Sequence, residues 1–351
     1  MDVSQLYQNL SDPDKYNLDM LADEIKRKYE SGERRGEPKG RVILFLGAAA
    51  NYHAPAGFES AYHKDDRPPI GNELNNLLID SMYRPHVNLD LNTSMKAERL
   101  PLSYTAQYFE ELTDRPRLVA ELGKLIDGKK VSPLLKALAE MDFKYVVTTN
   151  YDHLFEDALT AAGKEFHKGI YKANKFGEPQ PTTSIPEREI SVSKPFLYKF
   201  HGDIKDVLDE NGDYRPEKDS IVLTDEDYLN FILRMGQVND NKEKTSERET
   251  LDLYPIPQVI NEAFTGKNQN TFLFIGYGLQ DYNLRLIFKT SLWKKDSNIF
   301  KALQKWSITL NHHAPIREFF NANYRFTFID HDIWCAIPYL YKTMFDRDMP
   351  L

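Results

Sequence analysis

The chain has 351 residues, of which 41% are hydrophobic, and its 45 Lys and Arg against 53 Asp and Glu give a formal net charge of −8. This length allows one large α/β domain with additions or two smaller domains. The acidic balance argues against a surface that binds duplex nucleic acid over its whole extent. Cys335 is the only cysteine, which excludes an intramolecular disulfide and a cysteine-rich zinc site and is compatible with a reducing compartment.

Targeting signals are absent from the sequence as given. The first residues lack the basic and apolar regions of a signal peptide. No apolar run approaches the length that a membrane-spanning helix needs. We therefore expect a cytoplasmic protein without membrane contact.

The chain divides into three parts by pattern. Residues 1–40 combine a helical apolar pattern with a basic, glycine-bearing stretch, and we predict a helical arm and a linker there. Residues 41–300 form the main predicted domain, with helical insertions at about 52–130 and 204–270. Residues 301–351 are predicted to add strands at 306–310 and 324–329 and a helix from about Asp332, which complete the domain or contact partners.

The first strong strand signal is the almost continuously apolar run at residues 41–46, which is typical of a strand covered on both faces. It leads into the small residues Gly47, Ala48, Ala49 and Ala50 and then Asn51. Small side chains at a strand–helix turn let the backbone approach a phosphate. Close packing of a strand on a helix needs small side chains as well, and the fingerprint G-x-G-x-x-G is absent, so both interpretations stay open.

A second strand, at residues 145–147, is followed by polar residues and then by a helical pattern. The polar residues are Thr148, Thr149, Asn150 and Asp152. They stand at the carboxyl end of a strand, where open α/β sheets bind ligands. Asn150 or Asp152 can also cap the helix by accepting a hydrogen bond from its first N–H groups, and on this stretch alone capping is favoured.

Two further strands end in the same way. Residues 195–200 lead into His201, Gly202 and Asp203, and residues 271–275 lead into a glycine-bearing turn at 276–279. His201 is either a satisfied structural residue or a proton acceptor with a pKa near neutrality. Residues 220–224 are predicted to form a short strand between these two. His312 and His313 are not expected to bind a metal, because adjacent histidines point apart on regular structure.

Four stretches together resemble the sirtuin-like NAD-binding family, in its bacterial defence branch rather than its deacetylase branch. They are residues 45–50 (FLGAAA), 148–152 (TTNYD), 200–203 (FHGD) and 274–285 (FIGYGLQDYNLR). Their order and spacing fit the family over roughly residues 41–290. With the strand and helix patterns, the resemblance implies an α/β fold: a Rossmann-like parallel sheet with helices on both faces and a helical subdomain or insertions.

The resemblance also implies roles for individual residues. In proteins of this kind an asparagine after the threonines and a histidine before the glycine flank the nicotinamide ribose, which implies catalytic roles for Asn150 and His201. Asp152 is implied to support the asparagine loop. The first turn is implied to lie against the diphosphate and the last along the adenosine ribose, and Asp281 and Arg285 are implied to stabilise the last loop. The nucleotide-binding residues implied are Gly47, Ala48, Ala49, Asn51, Thr149, Gly276, Tyr277, Gly278 and Leu279.

Three departures from the family pattern are visible. Ala49 stands where a second glycine is usual, and Gly278 stands where a serine is common. The four-cysteine zinc module of the deacetylases cannot form with one cysteine. We therefore expect no metal cofactor.

The chemistry agrees with these residues. Cleavage of the bond between nicotinamide and ribose develops positive charge at the anomeric carbon, which amide and carboxylate groups stabilise, and a histidine accepts a proton from a hydroxyl or from water. We predict an NAD+ hydrolase that releases nicotinamide and ADP-ribose and depletes NAD in antiviral defence. Two alternatives remain: a deacylase or ADP-ribosyltransferase of the same fold, and a non-catalytic module that senses NAD or ADP-ribose.

Regulation is expected to come from outside this stretch of chain. An unrestrained NAD+ hydrolase would drain its own cell, and the residues before 41 and after 300 are short for a typical sensor domain. We therefore expect a homo-oligomer that is controlled by a partner. The resemblance suggests a hexameric DNA-translocating ATPase or a short Argonaute encoded nearby, so that nucleic acid is met only through a partner. The N-terminal helix and the aromatic residues at 334–341 are the expected contact surfaces, unless these ends cover the sheet.

Overall fold

Seven parallel strands form one sheet, in the order β3-β4-β2-β1-β5-β6-β7. The structure is a computed structural model that describes residues 2–26, 41–82, 100–171, 185–237, 256–264, 270–278, 303–310 and 314–351. The strands are β1 (Val42–Leu46), β2 (Tyr145–Thr148), β3 (His167–Ile170), β4 (Phe196–Lys199), β5 (Thr271–Ile275), β6 (Lys305–Ile308) and β7 (Phe326–Ile329). Because β1 lies between β2 and β5, the chain changes its direction across the sheet at the boundary of β1 and β5. Open α/β sheets bind ligands at such a switch point.

Twelve α-helices lie within the described residues, and none of them is long and apolar enough to cross a lipid bilayer. They are α1 (Ser4–Tyr7), α2 (Asp12–Lys26), α3 (Gly71–Met82), α4 (Leu102–Leu112), α5 (Arg115–Ile126), α6 (Pro133–Glu140), α7 (Leu154–Ala161), α8 (Ile204–Val207), α9 (Asp225–Gln237), α10 (Gln258–Phe264), α11 (Ala314–Tyr324) and α12 (Ile333–Phe345).

The sheet separates two hydrophobic cores, and the side chains of β1 alternate between them. Val42, Leu44 and Leu46 belong to one core and Ile43 and Phe45 to the other, since successive side chains of a strand point to opposite faces. All five are almost completely buried. A parallel sheet covered on both faces explains the continuous apolar run of this strand. The predicted α/β, Rossmann-like architecture is confirmed.

The two ends of the chain pack on each other and cover one face of the sheet. α2 contacts α12, and the apolar face of α2, which includes Leu18 and Leu21, is fully buried in the same core as Trp334 and Ile337. The Trp334 indole nitrogen donates to the carbonyl oxygen of Tyr52 at 2.9 Å. For these side chains, covering the sheet is therefore the role that the structure shows.

The helices that follow the first turn form a third, smaller core. α3, α4 and α5 pack their apolar faces together and against Ile204, Ile221 and Leu223. This core joins segments from both predicted insertions, and it lies beside the carboxyl end of β4, from which residues 200–203 continue into α8.

The prediction of a strand at residues 220–224 was wrong. The N–H of Ile221 bonds the Asp219 carboxylate at 3.0 Å, that of Val222 bonds the His201 carbonyl at 3.1 Å, and that of Leu223 bonds the Asp227 carboxylate at 3.0 Å. Side chains and a loop, rather than a neighbouring strand, satisfy these donors. The apolar run is therefore a buried loop.

The ends of β1 and β5 touch through two glycines. The N–H of Gly47 donates to the carbonyl of Ile275 at 2.9 Å, and Gly276 adopts a φ of 73°. A Cβ atom on Gly276 would lie 2.0 Å from the backbone nitrogen of Ala50, and one on Gly47 would lie 2.5 Å from the Gly276 carbonyl oxygen. Only glycine fits at both positions, which explains why this pair of turns needs them.

We predict that Gly276→Ala lowers the free energy of unfolding by at least about 2 kcal/mol, because the left-handed backbone and a backbone clash both oppose a Cβ there. Gly278→Ala is the matched control in the same turn, since a Cβ at Gly278 meets nothing within 4 Å. Its effect should stay within about 0.5 kcal/mol. Urea denaturation measures both, and equal effects of the two changes would contradict the packing described.

Candidate active site

A cavity of about 690 Å³ opens at the carboxyl ends of β1, β2 and β5, and it collects most of the predicted site residues. Those that line it are Gly47, Ala48, Ala49, Thr149, Asn150, Asp152, His201, Gly276, Tyr277 and Gly278. Asn51 does not line it; this side chain is buried, and its amide oxygen has no hydrogen-bond partner among the described residues. Leu279, Asp281, Arg285, His312 and His313 lie outside the described residues.

The first glycine turn differs from the expected strand–helix turn. Residues Ala48–Asn51 form a single turn of 3-10 helix, so there is little helix dipole to attract a phosphate. The N–H of Ala49 donates to the Gly276 carbonyl at 3.3 Å, and that of Ala50 donates to the Gly47 carbonyl at 3.0 Å. The small side chains serve close packing here, and the backbone of Gly47 and Ala48 forms part of the cavity wall.

Asn150 is held in place by the end of its own strand and by the first turn. The Thr148 hydroxyl donates to the Leu46 carbonyl at 2.8 Å and accepts from the N–H of Asn150 at 3.0 Å. The amide nitrogen of the Asn150 side chain donates to the Gly47 carbonyl at 3.3 Å. This bond orients the amide, because the nitrogen is used against the backbone and the oxygen has no partner among the described residues.

Asp152 lies directly before His153, the N-cap residue of the following helix. Its carboxylate accepts a hydrogen bond from the N–H of Leu154 at 3.0 Å at the start of α7. Burial raises the pKa of Asp152, although the nearby Lys199 ammonium opposes the increase. The capping interpretation of the sequence therefore holds for Asp152, which is also part of the cavity wall.

His201 is the most unusual polar group of the site. It is only 5% exposed, and its Nε2 atom has no hydrogen-bond partner in the described parts of the chain. Its ring lies between Tyr151, at 6.3 Å between centroids, and the edge of Tyr228, at 5.3 Å. Burial lowers the pKa of His201 to about 3, because there is little solvent to stabilise the imidazolium. The expectation of a pKa near neutrality is not met, and the imidazole is neutral at physiological pH.

The residue after His201 has to be a glycine, Gly202. It adopts a φ of 86°, and a Cβ there would lie 2.2 Å from the carbonyl oxygen of Ser220. The loop at residues 219–224 therefore packs directly on the backbone of His201 and Gly202.

A buried ionic network connects the loop of Asn150 to the loop of His201. We use this name for His153, Glu156, Lys168, Lys199 and Asp203. The Lys199 ammonium lies 3.2 Å from the Glu156 carboxylate and 3.3 Å from that of Asp203, and it donates to the carbonyl of Asp152. Lys168 lies 2.7 Å and His153 2.5 Å from Asp203. One pair of carboxylates thus contacts the ammonium groups of β3 and β4 and the imidazole of the residue before α7.

The charges of the ionic network stabilise each other. Burial raises the pKa of Asp203, but His153, Lys199 and Lys168 outweigh this effect and hold it well below its usual range. Burial alone lowers the pKa of Lys199, while Glu156 and Asp203 raise it above its ordinary value. His153, Glu156 and Asp203 have the spacing of a metal site. Two lysine ammonium groups already neutralise these carboxylates, so the donor set does not fit an added divalent cation.

Several wall residues were not singled out from the sequence. Residues 68–72, with Tyr151, Tyr228 and Leu310, also line the cavity. The segment at 68–72 is anchored by Arg67, which is buried and forms a two-bond pair with Glu73 at 2.6 and 2.8 Å. The double proline before α3 was the only signal for this wall, and it marks a helix start rather than a ligand site.

We predict that Lys199→Met lowers the free energy of unfolding by about 3–5 kcal/mol, because it leaves Glu156 and Asp203 buried with fewer cations. Lys194→Met is the matched control, since Lys194 pairs with Glu165 at the surface. Its effect should lie within about 0.5 kcal/mol. Chemical denaturation of both variants checks the prediction, and a Lys199 variant as stable as the Lys194 variant would contradict it.

Comparison with known proteins identifies a family model and two relatives. A family model described as a SIR2-like domain matches residues 144–329, which is more than half of the chain. Defense-associated sirtuin 2 of Bacillus subtilis is 26% identical over 161 residues, which cover 45% of this chain and 12% of that protein. NAD(+) hydrolase ThsA of Cytobacillus dafuensis is 25% identical over 259 residues, which cover 71% of this chain and 42% of that protein.

This chain therefore spans about an eighth of the length of the first relative and about two fifths of the second. The matched region of the family model contains the strand ends that carry Asn150 and His201. These findings confirm the resemblance drawn from the four sequence stretches. The chain belongs to the family of SIR2-like domains.

Proposed function

We propose that this protein hydrolyses NAD+ to nicotinamide and ADP-ribose. One observation carries the proposal: the oriented amide of Asn150 and the neutral imidazole of His201 line the same cavity. That cavity lies at the switch point of a parallel sheet, beside the two glycine turns. Its volume of about 690 Å³ lies within the range of small-molecule sites.

The reaction needs little from the protein beyond placement and charge stabilisation. The bond between the nicotinamide nitrogen and the anomeric carbon breaks, and its electron pair leaves with neutral nicotinamide. Water then adds to the anomeric carbon, and one proton is released to solvent. The Asn150 side-chain oxygen is suited to face the electron-poor carbon or to hold the water, because its amide nitrogen is fixed on Gly47. Asp152 holds the Asn150 loop by capping α7.

His201 acts in this proposal as a neutral hydrogen-bond acceptor. The imidazole lines the cavity, and a ring nitrogen can accept a hydrogen bond from a hydroxyl of the nicotinamide ribose or from the attacking water. A neutral imidazole also avoids repulsion with the positive charge that develops on the ribose. A buried cation at this position would oppose the reaction.

We predict that His201→Ala and Asn150→Ala each reduce NAD+ cleavage by about 10²–10⁴-fold with the fold intact, because each removes a polar group that acts on the reacting ribose. His201→Gln and Asn150→Asp are the conservative counterparts. Release of nicotinamide, followed by chromatography, measures the effect. Wild-type turnover in a well-folded variant would remove that residue from the mechanism.

A second prediction concerns pH. Because the pKa of His201 is lowered to about 3, its imidazole stays neutral in the free enzyme throughout the neutral range. The rate constant kcat/KM should therefore show no acid limb near pH 6.5, the ordinary value for histidine. Stability should fall as the pH drops below about 6.5, because the unfolded chain takes up a proton there that the folded protein does not. An acid limb near 6.5 that disappears in His201→Gln would contradict this assignment.

The biological role is proposed from the relatives. One is named for defence and the other as an NAD(+) hydrolase, and we propose that this chain depletes NAD in a defence response in the cytoplasm. We further propose that it acts as a homo-oligomer under the control of a partner, with a DNA-translocating ATPase or a short Argonaute as candidates, since uncontrolled cleavage would harm the cell.

We predict an oligomer at micromolar concentration and low NAD+ cleavage in the absence of the partner. Light scattering on the purified protein measures the first, and nicotinamide release with and without the co-purified partner measures the second. A monomer that is fully active alone would contradict the proposal of control in trans.

A further inference from the structure

Arg115 is the centre of a second buried charge cluster, which lies outside the four sequence motifs. It begins α5 and is 9% exposed. Its guanidinium donates to Asp219 at 2.8 and 3.2 Å, to Asp227 at 2.9 Å and to the carbonyl of Ile221 at 2.7 Å. The carboxylate of Glu110 lies 3.1 Å away at the edge. Burial opposes the charge of Arg115, but Asp227 and Asp219 raise its pKa above the ordinary value.

The partners of Arg115 are the two ends of one loop. Asp219 also accepts from the N–H of Ile221, and Asp227 accepts from the N–H groups of Leu223 and Thr224, both at 3.0 Å. The Thr224 hydroxyl in turn accepts from the N–H of Asp227 at 3.1 Å. Residues 219–227 therefore form a loop with internal hydrogen bonds whose two ends are joined by a single guanidinium.

This loop forms the wall behind His201. The N–H of Val222 donates to the His201 carbonyl at 3.1 Å, and the carbonyl of Val222 accepts from the Tyr151 hydroxyl at 2.9 Å. Ser220 covers the face of Gly202, where a Cβ would lie 2.2 Å from the Ser220 carbonyl. The loop thus binds the backbone of His201 and fixes one of the two aromatic rings beside it.

The other aromatic ring is fixed by the same cluster. Tyr228 directly follows Asp227 in the first turn of α9, lines the cavity, and presents its ring to His201 at 5.3 Å and 82°. Because Arg115 holds Asp227, it also sets the position of the first turn that carries Tyr228.

We propose that Arg115 is a positioning residue for His201: it holds the loop at 219–227 and Tyr228 against the imidazole, which keeps His201 shielded from solvent and in place in the cavity wall. The proposal rests on the proposed NAD+ hydrolase function for its kinetic consequences. The two carboxylates and the backbone carbonyl need a donor with several N–H groups in one plane, which arginine provides and lysine does not.

The first test is kinetic. Arg115→Met should lower kcat by about 10- to 100-fold and change KM by less than about threefold, because a misplaced His201 impairs the reaction while the rest of the cavity still binds NAD+. Arg115→Lys keeps the charge and should lose less. Ile337→Ala is the control for general destabilisation, since Ile337 is fully buried in α12, outside the cavity wall. It should lower Tm and leave kcat unchanged.

The second test does not depend on cleavage. The pKa of His201, measured by NMR with His201→Gln to assign the signal among nine histidines, should rise in Arg115→Met from about 3 toward about 6.5 as water enters. The triple variant Arg115→Met, Asp219→Asn, Asp227→Asn leaves only the partly exposed Glu110 carboxylate without its cation, so it is expected to fold where the single variant does not. The triple variant also lacks the Asp227 charge, which raises the His201 pKa. A rise of the His201 pKa in this variant therefore indicates only that water has reached the imidazole.

The outcomes are distinct. Lowered kcat with a raised His201 pKa, in Arg115→Met or in the triple variant, supports the positioning role. Folded variants with the kcat of Ile337→Ala and a His201 pKa still near 3 overturn it. If the wild-type protein does not cleave NAD+ under any condition, the proposed function fails, and the His201 pKa alone decides whether Arg115 positions the imidazole.

Discussion

The Lys199 ammonium is the contact on which the geometry of the site depends. It is completely buried at the end of β4 and joins three pieces of chain: the Asp152 carbonyl, Glu156 in α7, and Asp203 after His201. The two strands that carry Asn150 and His201 are neighbours in the sheet, with Thr148 opposite Lys199. The backbone pairing of β2 and β4 ends at these two residues. Beyond them, the side chains of the ionic network connect the two loops. A buried pair of this kind contributes little net stability over apolar packing, but its loss is costly. Its effect is to fix the relative position of two loops.

The second property that the site requires is the exclusion of solvent from the His201 imidazole. Two arginine clusters, of Arg67 and of Arg115, hold the segments that form its walls, and the rings of Tyr151 and Tyr228 lie beside the imidazole. The result is a neutral histidine whose Nε2 atom is buried without a hydrogen-bond partner among the described residues. Desolvation strengthens hydrogen bonds from a bound ribose for the same reason that it lowers the pKa.

The sheet was predictable from the sequence where its strands are apolar on both faces. Residues 42–46, 145–147 and 272–275 have no charged or strongly polar interruption, and their ends carry the glycines and polar residues of the cavity. β3 was not predicted, because His167–Ile170 is a short edge strand with polar residues and a glycine. The loop at 220–224 was mistaken for a strand, because an apolar run does not reveal that side chains will satisfy its backbone. The role of Arg115 depends on a contact between distant segments, with Asp219 lying 104 residues beyond it. No local pattern encodes such a pair.

The central claim is that NAD+ binds in this cavity with its scissile bond between Asn150 and His201. A crystal structure with a carbocyclic NAD+ analogue, which binds but cannot be cleaved, tests this most directly and needs neither activator nor partner. The account predicts a nicotinamide-side ribose within hydrogen-bond distance of a ring nitrogen of His201 and of the Asn150 side-chain oxygen, with the adenosine half toward Gly276 and Gly278. An analogue bound elsewhere, or bound in the cavity with its adenosine ribose against His201, would contradict it.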